Sequence, residues 1–269
     1  MCRNGSVVNY DIVRIINDVR GPTTRHRETV DRLAGWIVGG RFAVNAVLPI
    51  EDEIGRELGV SRTVVREAMR TLVAKGMVSV RRHHGTRVLP IDSWSLFDPQ
   101  VVGWRLRAGL SRAYVEDLIS FRLGIEPYAA GLAAANPDFP DEVLEDASRR
   151  MAAAVDGEGS YLEADLDFHK TIILGSNNQF LRQLIPLVST TLQSSFRLSV
   201  TSIDIARDSL PLHRAVADAI IARKPDMARA TLTKLIESAR EDILRVLPEI
   251  EREETHDGSD RAPDPDVRE

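Results

Sequence analysis

Asp165 and His169 stand four residues apart, which places both on one face of a helix. That face carries the stripe Leu162, Leu166 and Ile173, so the spacing predicts that it points inward. A buried carboxylate and a buried imidazole must each find a partner. His213 opens a further helical stretch whose stripe, Val216, Ala217 and Ile220, also predicts an inward face. Two arrangements answer these constraints. A divalent metal held by Asp165, His169 and His213 from separate helices satisfies all three side chains. A hydrogen-bonded Asp–His pair beside an unrelated core histidine does so as well. Arg122 shares a face with Leu118, Ile125 and Ala129. A guanidinium on an apolar face needs an anion, and its fork matches a carboxylate; Glu126, four residues on, is the local alternative. A metal-dependent hydrolase built on the same triad requires a general base. Asp167 and Glu163 are the candidates, and both are expected at the surface.

A second group is basic. Between Ser61 and Arg87 seven arginines and lysines face one acid, Glu67, while the whole chain carries a net charge of -5. Nucleic-acid binding needs a local positive face, and a basic chain is not required. Arg62, Arg66 and Arg70 recur every fourth residue and form a stripe, with Val64, Val65, Ala68, Met69 and Leu72 on the opposite side. Ser61 is suited to cap that helix, a short helix fits Glu51 to Leu58, and Gly59-Val60 make the turn between them. Helix, tight turn and capped basic helix are the parts of a helix-turn-helix. Thr63 is exposed beside the arginines. Val78 to Val80 and Thr86 to Leu89 read as a hairpin with His83-His84-Gly85 at its tip, flanked by Arg81, Arg82 and Arg87.

The elements that position these groups are helical apart from that hairpin. Residues 1–22 form a weakly amphipathic arm ended by Gly21-Pro22; 23–90 form a winged helix-turn-helix; 91–110 link it to the C-terminal half, with Asp98 and Pro99 able to start a short helix. Over 111–250 helices are expected at about 112–135, 141–155, 160–174, 178–200, 209–223 and 226–247, as an all-α antiparallel bundle. Pro127 and Pro186 are expected to kink two of them and Pro248 to close the last. The Pro/Asp-rich tail, 251–269, is expected to be disordered. Trp94 and Trp104 suit packing between the domains. The lone cysteine, Cys2, excludes an intrachain disulfide, and the absence of a long apolar run or signal peptide makes a cytoplasmic protein without membrane contact the expectation.

The segment LPIEDEIGRELGVSRTVVREAMRTLVAKGMVSVRRHHGTRV, Leu48 to Val88, resembles the winged-helix domain of the GntR family of transcriptional regulators continuously over some forty residues. The resemblance implies DNA contacts from Arg62, Arg66, His84 and Gly85; together with the basic stripe and wing, the expected DNA-binding set is Ser61, Arg62, Thr63, Arg66, Arg70, Arg82, His84 and Gly85. One position departs: Asp52 stands where some members carry a DNA-contacting arginine.

The helical half, with FRLGIEPYAAGLAA, resembles the FCD sensor domain over about 112–245. This implies a metal (zinc, with nickel or manganese as alternatives) on Asp165, His169 and His213, and a carboxylate effector on Arg122. Asn178, which could instead cap the next helix, Gln193 and Ser194 are further effector-binding candidates by the same likeness. The last-helix histidine of metal-binding members is replaced by Leu235. SWSLFDPQVVGW and IVGGRF are similar to the sugar-acid, galactonate-type subgroup. The function expected is a homodimeric regulator, in the sense of a repressor, that binds double-stranded operator DNA under control of a small acid, with a metal-level sensor as the alternative.

Overall fold

The structure is a computed structural model that describes residues 24–109, 111–199 and 203–257, with the side chains of 24, 194–199, 203 and 246–257 left out of the description. The arm 1–22, the tail beyond 257 and the side chain of Ser194 lie outside the described residues. The chain divides into two compact units between Trp104 and Arg105.

In the first unit, α1 (Thr24–Val38), α2 (Glu51–Leu58) and α3 (Arg62–Ala74) precede the hairpin β1 (Val78–Arg81) and β2 (Gly85–Val88). The helix α2 begins without a side-chain acceptor, because Ile50 has none to offer. Glu53 Oε2 takes the Ile50 N–H at 3.3 Å. Glu51, Asp52 and Glu53 crowd the first turn, where the helix dipole favours negative charge. Gly59, at φ 66°, ends α2 in the left-handed region that a tight helix-to-helix turn requires. Ser61 then caps α3 by accepting from the Val64 N–H. Val65, Ala68, Met69 and Leu72 are buried and Arg62, Arg66 and Arg70 are exposed, as the spacing predicts.

The strands pair antiparallel with Val78 opposite Val88 and Arg81 opposite Gly85. A third stretch of backbone, which no sequence pattern marked, joins them. The segment 45–48 runs along β2, with Asn45 N–H to the Val88 carbonyl at 2.9 Å and Leu48 N–H to the Thr86 carbonyl at 2.8 Å. Asn45 achieves this with φ 69°, a conformation asparagine tolerates better than most residues. Asp98 caps α4 (Pro99–Arg107), accepting from Gln100 and Val101 N–H. Trp94 and Trp104, expected to pack between the domains, lie in the core of the first unit. Their indole N–H groups donate to the Leu89 carbonyl and to Asp31 Oδ1, at 2.9 and 2.7 Å. A buried indole needs such an acceptor, and both acceptors belong to this unit.

The second unit is helical throughout its described residues: α5 (Arg112–Ala135), α6 (Asp141–Val155), α7 (Tyr161–Gly175), the short α8 (Gln179–Arg182), α9 (Ile185–Ser199), α10 (Ile203–Ile221) and α11 (Pro225–Asp257). Fully buried Leu144, Met151, Phe168, Ile172, Ile220, Leu232 and Ile236 form its core. The helices α5 and α11 are antiparallel: Arg240 reaches Glu116, and Arg229 lies against Gly131.

Three expectations change. The stretch 178–200 is two helices, and Pro186 falls in the first turn of α9, where its missing N–H costs nothing. The helix expected from 209 begins at Ile203, so His213 lies mid-helix, two residues beyond an interior proline, Pro211. The last helix continues through Pro248 to Asp257 and so takes in the start of the segment expected to be disordered. Its run of Glu and Arg after Pro248 has high helix propensity, which offsets one lost backbone hydrogen bond.

Candidate functional site

The two groups singled out in the sequence are separate sites, one in each unit. In the first unit Arg62, Thr63, Arg66 and Arg70 are exposed on α3, and Arg82, His84 and Gly85 are exposed at the wing tip, where His83 and Gly85 both have positive φ. The three arginines are not equivalent. Arg62 Nε donates to Glu51 Oε2 at 2.9 Å, and its Nη1 lies 3.6 Å from Asp52. Arg70 is paired with Glu67 at 2.8 Å. Arg66 has no ion pair among the described residues. Asp52, the one departure from the family pattern in this helix, therefore has a role in the free protein: with Glu51 it holds the first arginine of the stripe by hydrogen bonding and charge, which raises that guanidinium's pKa.

In the second unit a chain of buried polar groups crosses three helices. Arg122 and Glu126 lie one turn apart on α5, and Arg122 Nε donates to Glu126 Oε1 at 2.6 Å. Glu126 Oε2 is 2.5 Å from His169 Nδ1 on α7. His169 Nε2 faces Asp165 Oδ1 at 3.7 Å. The same oxygen is 2.9 Å from His213 Nε2 on α10, and His213 Nδ1 lies 2.9 Å from the Ser209 carbonyl. Phe168 packs edge-on against both imidazoles. Arg122, Glu126, Asp165, His169 and His213 are all buried. Among the described residues no buried side-chain nitrogen or oxygen lacks a hydrogen-bond partner.

The hydrogen bonds determine what the rings can do. A carbonyl only accepts, so His213 Nδ1 carries a proton; a carboxylate only accepts, so His169 Nδ1 does too. Both Nε2 atoms then face Asp165. In neutral rings these are lone pairs aimed at an anion, which is repulsive. A cation placed among the three ligand atoms would turn that repulsion into attraction. The three side chains can bring one ligand atom each within 4.8 Å of one another. Two imidazole Nε2 atoms and a carboxylate oxygen, with the opposite ring nitrogens held by a carboxylate and a carbonyl, are a donor set and outer hydrogen bonds suited to a divalent metal. The residues present fit a divalent metal. Burial pushes Glu126 and Asp165 up, but neighbouring positive charge outweighs it. Arg122 and His169 bring Glu126 down to about 2. His213 above all, with His169 and Arg122, lowers Asp165.

The cluster borders a cavity of about 80 Å³. Arg122 pairs with Glu126 and is also one of the residues that line the cavity. Leu235 lines it as well, so the last helix offers an apolar side chain where the resemblance placed a third histidine. Two expected residues are not among its walls. Asn178 accepts from the Phe180 and Leu181 N–H groups and so caps α8, the capping alternative for this residue, which commits its side-chain oxygen; Gln193 is half-buried. Asp167 pairs with Arg150 near the surface and Glu163 is exposed, so neither candidate base reaches the triad. Reading the sequence missed Tyr161, Ser209, Ser238 and Asp242 on the cavity wall. The fourfold spacing Tyr161, Asp165, His169 was a usable signal. Ser209 gave none, because its helix was expected to begin there.

A winged helix with an exposed arginine stripe, followed by a helical bundle with a buried polar cavity, defines a ligand-responsive DNA-binding regulator. Known proteins agree. Residues 25–88 match the model of the bacterial regulatory proteins of the gntR family, and residues 117–238 match the FCD domain. The chain is 33% identical over 211 residues to the HTH-type transcriptional regulator YieP of Escherichia coli, spanning 77% of this chain and 90% of that one. It is 28% identical over 211 residues to the galactonate operon transcriptional repressor of the same organism, spanning 77% and 92%. A solved structure of Lar, which controls expression of the Listeria monocytogenes agr system, shares the fold at 18% identity and a TM-score of 0.62, covering 84% of this chain and 99% of that one. The chain belongs to the GntR family of transcriptional regulators, in the branch that carries an FCD domain. This is a family of regulators and not of enzymes. No helix among the described residues is long and apolar enough to cross a membrane.

Proposed function

We propose that the protein is a homodimeric repressor whose affinity for operator DNA is set by a small carboxylic acid, of the sugar-acid class, bound beside a divalent metal. The observation that carries this reading is the buried Arg122–Glu126–His169–Asp165–His213 chain opening on a cavity. The winged helix of 23–90 is the reading head. Ser61 fixes the start of α3, Arg62, Thr63, Arg66 and Arg70 meet the major groove, and Arg82, His84 and Gly85 meet the backbone or minor groove. A single head makes few base contacts, so two copies on a two-fold site give useful specificity.

The bundle is the sensor. Asp165, His169 and His213 would hold zinc and leave a fourth position, and zinc there supplies a Lewis-acidic site for an effector oxygen. Arg122 binds the carboxylate, with Glu126 fixing the guanidinium and the His169 ring. The effector changes DNA affinity only through its differential affinity for two arrangements of the protein. The likeness to the galactonate operon repressor favours a sugar acid over other carboxylates.

The testing experiment is a thermal-shift screen of sugar acids and short hydroxy acids, with and without a chelator. One sugar acid should raise the transition temperature, with stabilisation of about 2.7 kcal/mol at a hundredfold excess over Kd. Chelator or Arg122→Ala should remove the shift. A large shift with metal alone, and none with any acid, would instead favour a metal-level sensor.

Arg66 is the exposed arginine of the stripe with no intramolecular ion pair among the described residues. Arg66→Ala should weaken operator binding by more than about tenfold, since a bidentate base contact is worth about 1–3 kcal/mol, with an unchanged circular dichroism spectrum. Undiminished affinity in a gel-shift titration would remove Arg66 from the reading face.

A further inference from the structure

Three helices each place successive turns along the cavity: His169, Asp165 and Tyr161 on α7; His213 and Ser209 on α10; Leu235, Ser238 and Asp242 on α11. The antiparallel register of α5 and α11 puts Leu235 level with Arg122. Asp242 is then two turns away, about 10 Å along the axis at 1.5 Å per residue. By that register Arg122 and the Asp/His cluster lie toward one end of the cavity lining and the Asp242 carboxylate toward the other. Hydroxyls line the middle: Tyr161 is 2.6 Å from Ser209 Oγ, and Ser238 stands between Leu235 and Asp242 on the facing helix.

Charge sharpens this. With a divalent cation on Asp165, His169 and His213, that ion together with Arg122, Glu126 and Asp165 totals +1. Asp242 is offset by Arg245, which donates to its Oδ1 at 3.1 Å, but Arg245 is 70% exposed while Asp242 is 20% exposed, so the carboxylate dominates at the cavity. One negative charge at the Arg122 end neutralises the slot. A second one at the far end would meet Asp242.

We propose that Asp242 is the specificity-determining residue of the effector slot and selects polyhydroxy monocarboxylates against dicarboxylates, by accepting a hydroxyl at the end remote from Arg122 and repelling a second carboxylate. This rests on the effector reading given above and narrows it. It requires no particular metal.

The test is calorimetric titration of the full-length protein with four- to six-carbon aldonates and the aldarates of the same skeletons. At least one aldonate should bind, and its aldarate should bind at least about tenfold more weakly, because like charges brought together in a binding site are strongly unfavourable. Asp242→Asn keeps the size and hydrogen-bonding capacity but removes the charge, and should bring the two affinities to within about threefold, mostly by tightening the aldarate. An equal preference in the wild type, an unchanged ratio in Asp242→Asn, or failure of every aldonate to bind overturns the inference. If acids bind without that preference and Arg122→Ala abolishes their binding, the inference falls and the effector site stands. Should Arg122→Ala leave binding intact, the effector site itself is misplaced.

Discussion

Glu126→Gln lowers the stability of the helical bundle by about 3–5 kcal/mol, the usual cost of breaking a buried ion pair from one side. The substitution keeps the shape and removes the charge. Arg122 is 3% exposed and Glu126 1%, so solvent cannot replace the lost partner. The effect carries a pH signature in chelator-treated protein. Folded Glu126 titrates at about 2 against an ordinary value of 4.5, so its ionised form stabilises the fold fully above pH 4.5 and is lost as pH falls towards 2. The deficit of the variant, measured by urea unfolding, should therefore be full at pH 7 and shrink below pH 4.5. A deficit under about 1 kcal/mol at pH 7 would mean that Arg122 finds another anion. Replacing both members by apolar residues, Arg122→Met with Glu126→Leu, should recover only part of the loss, because His169 Nδ1 still loses its buried acceptor. That recovery would separate their structural contribution from any part in effector binding.

His213→Ala removes the one triad ligand supplied by α10. Loss of an outer hydrogen-bonding group alone typically lowers metal affinity about 10–100-fold, so loss of a ligand in a three-ligand site should exceed about 100-fold. Metal measured after gel filtration should fall from the wild-type content to background, and Glu126→Gln should fall only part of the way, since it releases the His169 ring without removing a ligand. Full retention of metal by His213→Ala would place the metal elsewhere. His213 also donates to the Ser209 carbonyl in its own helix. His213→Gln therefore serves as a second variant that keeps polarity if the alanine variant unfolds.

The sequence by itself determined the local structure on which function depends. The apolar residues of α3, its Ser61 cap and the Gly59 turn are short-range features, and each acts within about a turn of the chain. The exposed arginine stripe follows from them with no reference to the rest of the molecule. The same holds for the pairing of Asp165 with His169 on one face and for the proximity of Arg122 and Glu126. Resemblance then joined His213 to the set.

Only the tertiary structure decided which partner each of these groups takes. Glu126 could have been no more than a helical neighbour of Arg122; α7, packed on α5, makes it the partner of His169 as well. Arg62 belongs to the stripe by spacing, yet the fold gives it to Glu51 and Asp52, while Arg66 keeps its charge available. Trp94 and Trp104 turned from domain packing to core residues because their indole acceptors are set by the folded unit, Asp31 being 73 residues from Trp104. Asp242 had no local mark at all: it is one acid among many on a long helix. It gains meaning because the α5–α11 register places it about two turns from Arg122 in a shared cavity. Short-range periodicity selects the face a residue occupies; the partner on that face depends on contacts between helices distant in sequence, which no local pattern records.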